Sequence, residues 1–263
     1  MKRGLVMGNE VDENKLAWEH KVYEWRVRFQ GTPENVAREI TANPESFLRF
    51  HAEVFDNVEG KSVASICGSD GRRAVALAVM GAFSTVFDIS EPQMRYALEL
   101  AEAADVCINY NLCDFCKVDD MTYGEQFDYA YAEGGILHYF HDLPLFFRKV
   151  YTILKNNGIF IMSDYHPFQK TCVVDKPLRN VELTEGNYFD TRVHTGHVPY
   201  LKYFSKEESS NFPNCKLRFY TLSEIFNAMI EEGFVIAAFY EHPQKSNPKV
   251  PHEFTIVAKK LYL

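Results

Sequence analysis

The chain lacks any run that could cross a bilayer. Its longest nearly apolar stretch, residues 74–87, is interrupted by Gly81, Ser84 and Thr85 and falls short of the roughly 20 residues a spanning helix needs. It lacks a basic excess: 28 Lys and Arg stand against 36 Asp and Glu, for a net charge of −8. A nucleic-acid partner, which calls for a positive field or stripe, is therefore not expected, nor is a membrane partner. No apolar segment follows Lys2 and Arg3, so the start does not read as a secretory leader. A cytoplasmic location follows as an expectation, with the six Cys as reduced thiols. Cys113-Asp114-Phe115-Cys116 is a C-x-x-C pair, but no second pair at metal-site spacing and no thioredoxin-like context accompany it. No metal is expected; thiol-redox chemistry at Cys113 and Cys116 is a weak third reading. Internal repeats and low-complexity tracts are also missing. These absences leave a small-molecule partner; oligomeric state stays open.

What is present is a chain of 263 residues, 46% hydrophobic, with 21 Phe and 15 Tyr. That suffices for one substantial core plus a cap. Residues 13–55 read as helical: Trp18, Val22, Trp25 and Phe29 recur at helical spacing, Thr32-Pro33 starts a second helix as N-cap and first position, and Pro44-Glu45 starts a third. From Lys61 strands and helices alternate. Strands are expected at 63–66, 83–88, 106–110, 127–132 and 159–164. Between them lie an Ala-rich helix at 72–80 closed by Gly81, a helix opened by a Ser90/Gln93 capping box with Met94, Ala97, Leu98 and Ala101 as its apolar face, and a helix from Asp142 through Leu154 ended by Asn156-Asn157-Gly158. This rhythm implies a parallel sheet with helices on both faces.

Residues 168–218 break the rhythm and read as an insert over the carboxyl ends of the strands. It resumes with a Thr221/Glu224 capping box, a helix ended by Gly233, and strands at 234–240 and 254–259 joined by a Pro-bearing loop. Consecutive strands without a crossover helix must run antiparallel. The expected division is a helical cap over 1–57 and a main domain over 58–263 that carries the insert.

Chemistry concentrates at two strand ends. Val63 to Gly71 is a buried strand running into a small-residue turn, and Val86-Phe87-Asp88 ends in a carboxylate about 20 residues further on, the spacing at which an acid reaches a ribose diol. Gly68, Ser69 and Gly71 allow close backbone approach at a helix N-terminus. The turn Gly68-Ser69-Asp70-Gly71-Arg72-Arg73 is not G-x-G-x-x-G, which argues against a nicotinamide cofactor.

In order and spacing, Val63–Gly71, Asp88, Cys113-Asp114-Phe115, Glu133-Gly134-Gly135-Ile136-Leu137-His138 and Leu154-Lys155-Asn156-Asn157-Gly158 resemble the successive motifs of class I S-adenosylmethionine (SAM)-dependent methyltransferases. The resemblance covers residues 61–164 well and the terminal elements more loosely. It implies an α/β, Rossmann-like three-layer sandwich with a seven-stranded, mostly parallel sheet whose last strand is antiparallel. It implies SAM as cofactor, S-adenosylhomocysteine as product, and methyl transfer to an O or N atom of a small-molecule acceptor. The turn Gly68, Ser69, Asp70 and Gly71 would face the amino-acid end of SAM. Asp88 would hold the ribose, with Ile89 and Ser90 beside it and Ile89 packed on adenine. Asp114 and the Phe115 N–H would bind the adenine edge, and Glu133 and Gly134 would flank the methionine part. Two positions depart from the family: Ser65 stands where an acid is usual and Cys67 where a glycine is. The missing acid motivates an alternative, a SAM- or nucleoside-binding protein without catalysis.

Methyl transfer mainly needs alignment and exclusion of water, and aromatic faces can hold a sulfonium. Trp18, Tyr23 and Trp25 are candidates if the first helix closes over the site. A hydroxyl acceptor needs a base; His138 after the fourth strand, and Tyr165 and His166 after the fifth, are the candidates, since sites gather at the carboxyl ends of strands. His141 is expected to stay exposed near the Asp142 cap. His194, His197, Tyr200 and Tyr203 of the insert could line an acceptor pocket.

Overall fold

The computed structural model describes residues 7–55, 57–168, 187–245 and 247–261; positions 169–186 of the expected insert lie outside them. Three helices open the chain: α1 (Met7–Glu19), α2 (Val22–Phe29) and α3 (Pro33–Ala42). The expected stripe from Trp18 to Phe29 is cut at Lys21, whose φ of 54° breaks the helix, so Phe29 ends up exposed while Val22 and Trp25 are buried. Thr32 does cap α3, accepting from Asn35 N–H. The third expected helix is a 3-10 segment, Pro44–Val54, kinked at Arg49.

The main body alternates β1 (Ser62–Ile66), α4 (Arg72–Val79), β2 (Phe83–Asp88), α5 (Glu91–Ala103), β3 (Ile108–Leu112), α6 (Asp120–Tyr123), β4 (Phe127–Glu133), α7 (Leu143–Ile153) and β5 (Leu154–Tyr165). A short antiparallel pair, β6 (Val193–Gly196) with β7 (Cys215–Arg218), brackets a one-turn helix α8 (Lys206–Ser209). Then come α9 (Leu222–Glu231), β8 (Phe234–Gln244) and β9 (Asn247–Lys260). The main sheet has seven strands in the order β3-β2-β1-β4-β5-β9-β8. β1 to β5 pair in parallel, and β9 runs antiparallel to both its neighbours. Strand order reverses between β1 and β4, and a sheet of this kind opens a crevice at that point, outside the carboxyl ends of the strands.

The local causes are legible. β1 and β2 are almost wholly buried, as apolar runs between two helix layers must be. α7 packs Phe146, Phe147, Val150 and Ile153 with no exposed surface, each side chain contributing about 1.5–3 kcal/mol of burial. Thr221 and Glu224 form the expected capping box of α9. At Gly71 (φ 71°) a Cβ would sit 2.6 Å from Ala97 Cβ, so only glycine lets α4 start against α5. Among the described residues, no helix is long and apolar enough to cross a membrane.

Five expectations change. β3 begins at Ile108, not Val106. The Ser90/Gln93 capping box does not form: the Ser90 hydroxyl donates to the Trp18 carbonyl and Gln93 Oε1 accepts from Arg26. The buried face of α5 is Gln93, Tyr96, Ala97, Leu100 and Ala101, and Leu98 is exposed. The turn at Asn156–Gly158 lies within β5 as an irregularity with Asn157 at φ 64°, and α7 ends at Ile153. The expected Pro-bearing loop is instead strand: β8 and β9 run on beyond Tyr240 and begin before Phe254, with Pro243 opposite Pro251 where the register shifts. An edge strand with a bulge tolerates such residues.

Candidate functional site

A cavity of about 740 Å³ opens at the carboxyl ends of β1, β2 and β4 and extends beneath α1, α2 and residues 199–203. It falls within the range of small-molecule and cofactor pockets. One end is polar and built by turns of the sheet; the other is walled by aromatic rings.

At the polar end, Cys67, Ser69, Asp88, Ile89, Asp114 and Phe115 line the cavity. Asp88 ends β2. Its Oδ2 accepts from Ser69 N–H (2.9 Å) and its Oδ1 from Ser90 N–H (3.0 Å). These bonds aim the carboxylate and leave lone pairs on both oxygens. Burial raises the Asp88 carboxyl above its ordinary value, against the backbone donors of Ser90, Ser69 and Ile89. Asp114 caps a 3-10 turn, Phe115–Lys117, through Cys116 N–H (3.0 Å), which places Phe115 inward. Cys67 and Ser69 both take positive φ, 50° and 52°, so this turn reaches the tight shape of a glycine loop with side chains in place. Burial pushes the Cys67 thiol well up, Cys113 up to about 11 and Cys116 up to about 12. All three are protonated, unreactive thiols at neutral pH.

Glu133 and Gly134 end β4 at the cavity wall. The Glu133 carboxylate is held by Arg49 (2.7 Å) and Arg73, and its side chain is almost fully buried. Gly134 (φ 102°) has open space where a Cβ would stand, and Gly135 (φ 80°) must be glycine because a Cβ would overlap the Tyr165 ring. Asp164, ending β5, accepts from Ile136 N–H (2.9 Å) and Leu137 N–H (2.8 Å) and so fixes the loop after β4.

Arg26 is a site residue the sequence did not announce. It projects from α2 into the cavity wall. Its guanidinium lies 2.8 Å from Asp70 Oδ2 and donates to Ser69 Oγ (2.8 Å) and Gln93 Oε1 (3.2 Å). Asp70 also pairs with Arg72 (2.7 Å). Burial would raise the Asp70 carboxyl, but Arg26, Arg72 and Arg73 outweigh it and hold it below its ordinary value. Asp70 thus faces these arginines, and Gly68 and Gly71 serve the packing of the turn. Ser65 lies beneath the turn, buried, with its hydroxyl unpartnered.

At the aromatic end, Trp18, Trp25, Tyr139, Tyr200 and Tyr203 form the wall. Trp25 stacks on Tyr200 at 5.0 Å, and Trp18 packs edge-on to Tyr139 at 5.8 Å. Tyr23 stays outside: it bonds Glu99 and packs against Tyr96 of α5.

The three expected catalytic residues separate. Tyr165 lines the cavity, with its phenol pushed up to about 12 by burial. His138 instead faces a separate small space of about 20 Å³ beside Phe219. His166 turns away to Glu241 (3.0 Å) and accepts from Phe168 N–H (3.1 Å). His141 overturns its expectation of exposure: it lines the large cavity and pairs with Glu10 across 131 positions of chain. Of the insert residues, Tyr200 and Tyr203 reach the cavity, and His194 faces Asp190 (3.4 Å).

The polar end suits a ligand with a diol and a zwitterion. Paired carboxylate oxygens stand at Asp88, guanidinium groups at Arg26, Arg72 and Arg73, and the bare backbone of Gly134 leaves room between them. The model of a methyltransferase domain family matches residues 66–162. A protein of Bacillus subtilis (strain 168), described as the uncharacterized methyltransferase YbaJ, is 25% identical over 242 residues, covering 88% of this chain and 90% of its own. A SAM-dependent methyltransferase structure from Mesorhizobium loti superposes with a TM-score of 0.55 at 23% identity, over 77% of this chain and 92% of that one. The 1,6-didemethyltoxoflavin-N1-methyltransferase of Burkholderia thailandensis, solved with 1,6-didemethyltoxoflavin and S-adenosylhomocysteine bound, has a TM-score of 0.61 at 15% identity, covering 100% and 94%. The two solved structures share the fold, while the family match spans the turn after β1 through β5. With the motif order and the antiparallel last strand, the match makes residues 66–162 a methyltransferase domain and the chain a SAM-dependent methyltransferase, with SAM as its cofactor.

Proposed function

We propose that this enzyme methylates an oxygen or nitrogen of a small molecule held at the aromatic end of the cavity. One observation carries the reading: a single continuous space joins the Asp88–Asp114 end to the chamber of Trp18, Trp25, Tyr139 and Tyr200. Two ligands can meet there. The bound cofactor supplies an activated methyl group; the chain supplies alignment and a dry site, which can be worth about 7–11 kcal/mol.

In this reading Asp88 holds the ribose diol, Ile89 and Phe115 sandwich the adenine, and Asp114 bonds its edge. Cys67, Ser69, Glu133 and Gly134 border the methionine part, and Arg26 meets its carboxylate. Trp18 and Tyr139 face the transferring methyl. The described residues of 1–57 and of the insert at 168–218 form the cover, and those of 58–263 outside the insert the body. A flat acceptor suits the aromatic wall, as 1,6-didemethyltoxoflavin suits the Burkholderia enzyme with which this chain shares its fold.

Titration calorimetry with S-adenosylhomocysteine tests the cofactor half. Tight binding is expected, weakened at least tenfold by Asp88→Ala. Unchanged binding in that variant would remove Asp88 from the site. Mass spectrometry of products from SAM and a panel of phenols, enols and heterocyclic amines tests the acceptor half; transfer only to protein or nucleic acid would refute a small-molecule acceptor.

A further inference from the structure

His141 follows the 3-10 turn Leu137–Tyr139 and directly precedes the Asp142 cap of α7. Its Nδ1 lies 2.5 Å from Glu10 Oε2 on α1, and both residues line the large cavity. Its Nε2 is buried and has no hydrogen-bond partner. A carboxylate on one ring nitrogen draws the proton to that side and leaves the other with a lone pair. This is the arrangement of a base oriented by an acid.

The other histidines do not share it. His51 is bonded at both nitrogens, to Tyr131 and Thr255. His166 is held by Glu241 and Phe168, and His138 faces the separate small space. His20 and His197 each have an unpartnered nitrogen and His194 Nε2 faces Asp190, but none of the three lines the large cavity. Around His141, Asp142 is engaged by Leu145 N–H (2.9 Å) and the Phe140 carbonyl by the Tyr220 hydroxyl (2.7 Å). Lys202 and Arg26 are the cations on the wall of that chamber. There too, Trp25 is about nine-tenths buried with its indole N–H unpartnered, a donor awaiting an acceptor atom.

We propose that His141 is the general base of the transfer, that Glu10 positions it, and that the acceptor is a flat aromatic hydroxyl compound. The inference rests on the acceptor chamber argued under Proposed function. An aromatic hydroxyl is a poor nucleophile until its proton leaves, and a neutral imidazole can take that proton during attack. The O–H bond breaks and its proton goes to Nε2. The freed oxygen pair forms the bond to the methyl carbon, and the carbon–sulfur bond breaks with its electrons left on sulfur. One positive charge thereby moves from the sulfonium to the imidazolium, where the Glu10 carboxylate meets it. Trp25 N–H would bond a second oxygen or ring nitrogen of the acceptor.

The probe is 4-nitrophenol, whose ionised form has its own absorption band. It is added to the full-length protein saturated with S-adenosylhomocysteine, at a pH about one unit below the probe's own pKa. In the wild type the bound probe is expected to ionise, giving the phenolate band in excess of that of free probe. His141→Gln is expected to bind the probe in its neutral form, with the excess band lost. Glu10→Gln, which removes the orienting charge and leaves the imidazole in place, is expected to lose most of it. Calorimetry with S-adenosylhomocysteine should give the same affinity in all three proteins. An equal phenolate band in His141→Gln, or no probe binding by the wild-type complex at millimolar concentration, overturns the proposal alone. Failure of the wild type to bind S-adenosylhomocysteine overturns it together with the methyltransferase reading.

Discussion

Arg26 Nη1 lies 2.8 Å from Asp70 Oδ2, and both side chains are more than nine-tenths buried. The pair ties α2, a helix of the cover, to the turn after β1 that shapes the polar end of the cavity. Removing one partner of a buried pair leaves the other uncompensated, at a cost of about 3–5 kcal/mol. Arg26→Met should therefore lower stability in urea unfolding toward the small end of that range, because Arg72 still faces Asp70. The double variant Arg26→Met/Asp70→Asn should recover part of the loss. Equal stability of Arg26→Met and wild type would deny the pair any structural role.

The same acid makes a prediction about low pH. The arginines hold the folded Asp70 carboxyl below its ordinary value despite burial. A depressed carboxylate contributes stability above the unfolded pKa, near 3.9, and loses it as pH falls through the folded value. The wild type should lose stability more steeply below about pH 4 than Asp70→Asn does. Parallel acid-unfolding curves would contradict this.

His51 acts in a higher window. It is buried between the Tyr131 hydroxyl (2.8 Å) and Thr255 Oγ1 (3.0 Å), and burial lowers its pKa from 6.5 to about 4. The folded state thus binds the proton less readily than the unfolded chain. Stability is fully present above 6.5 and declines as pH falls toward 4, by up to about 3 kcal/mol. His51→Gln should flatten urea stability between pH 6.5 and 4.5, which stability curves at those two values will check.

Gly135→Ala should be costly in two separable ways. The added Cβ overlaps Tyr165, and φ of 80° strains any L side chain. Together these predict a loss of roughly 1–3 kcal/mol. Tyr165→Ala in the same chain should relieve the overlap but not the strain, so thermal unfolding should show partial rescue. Full rescue would mean that the backbone there is unstrained.

Much of the body was legible because its signals are local. The limits of β2, the N-caps Thr32, Asp142 and Thr221, and the antiparallel pairing of the last two strands each follow from a few neighbouring residues. Ser90 and Gln93 show where that reading stops: they have the right types and spacing for a capping box, yet Trp18 and Arg26 claim them from another element. Arg26 itself sits in an apolar stripe between Trp25 and Val27, and nothing in its neighbourhood marks it as buried. Its partner lies 44 positions away, and that of His141 lies 131 positions away. Pairings of that reach are set by how the cover settles on the sheet, which no local pattern encodes.

Ala17, Val22 and Trp25 of the first helices share a cluster with Val198, Tyr200, Cys215 and Leu217, and Asn14 bonds the backbone of Lys216 in both directions, 202 positions on. A segment made earlier therefore completes its core with one made much later. At about 5–20 residues per second of synthesis, α1 and α2 wait some 10–40 s beside the ribosome with Trp18 and Trp25 uncovered. β1 to β5 can pair in that interval, whereas β8 and β9 follow β7 in the chain, so the aromatic wall of the cavity and the far edge of the sheet both close late, and α1 and α2 are a stretch that a chaperone can hold until then.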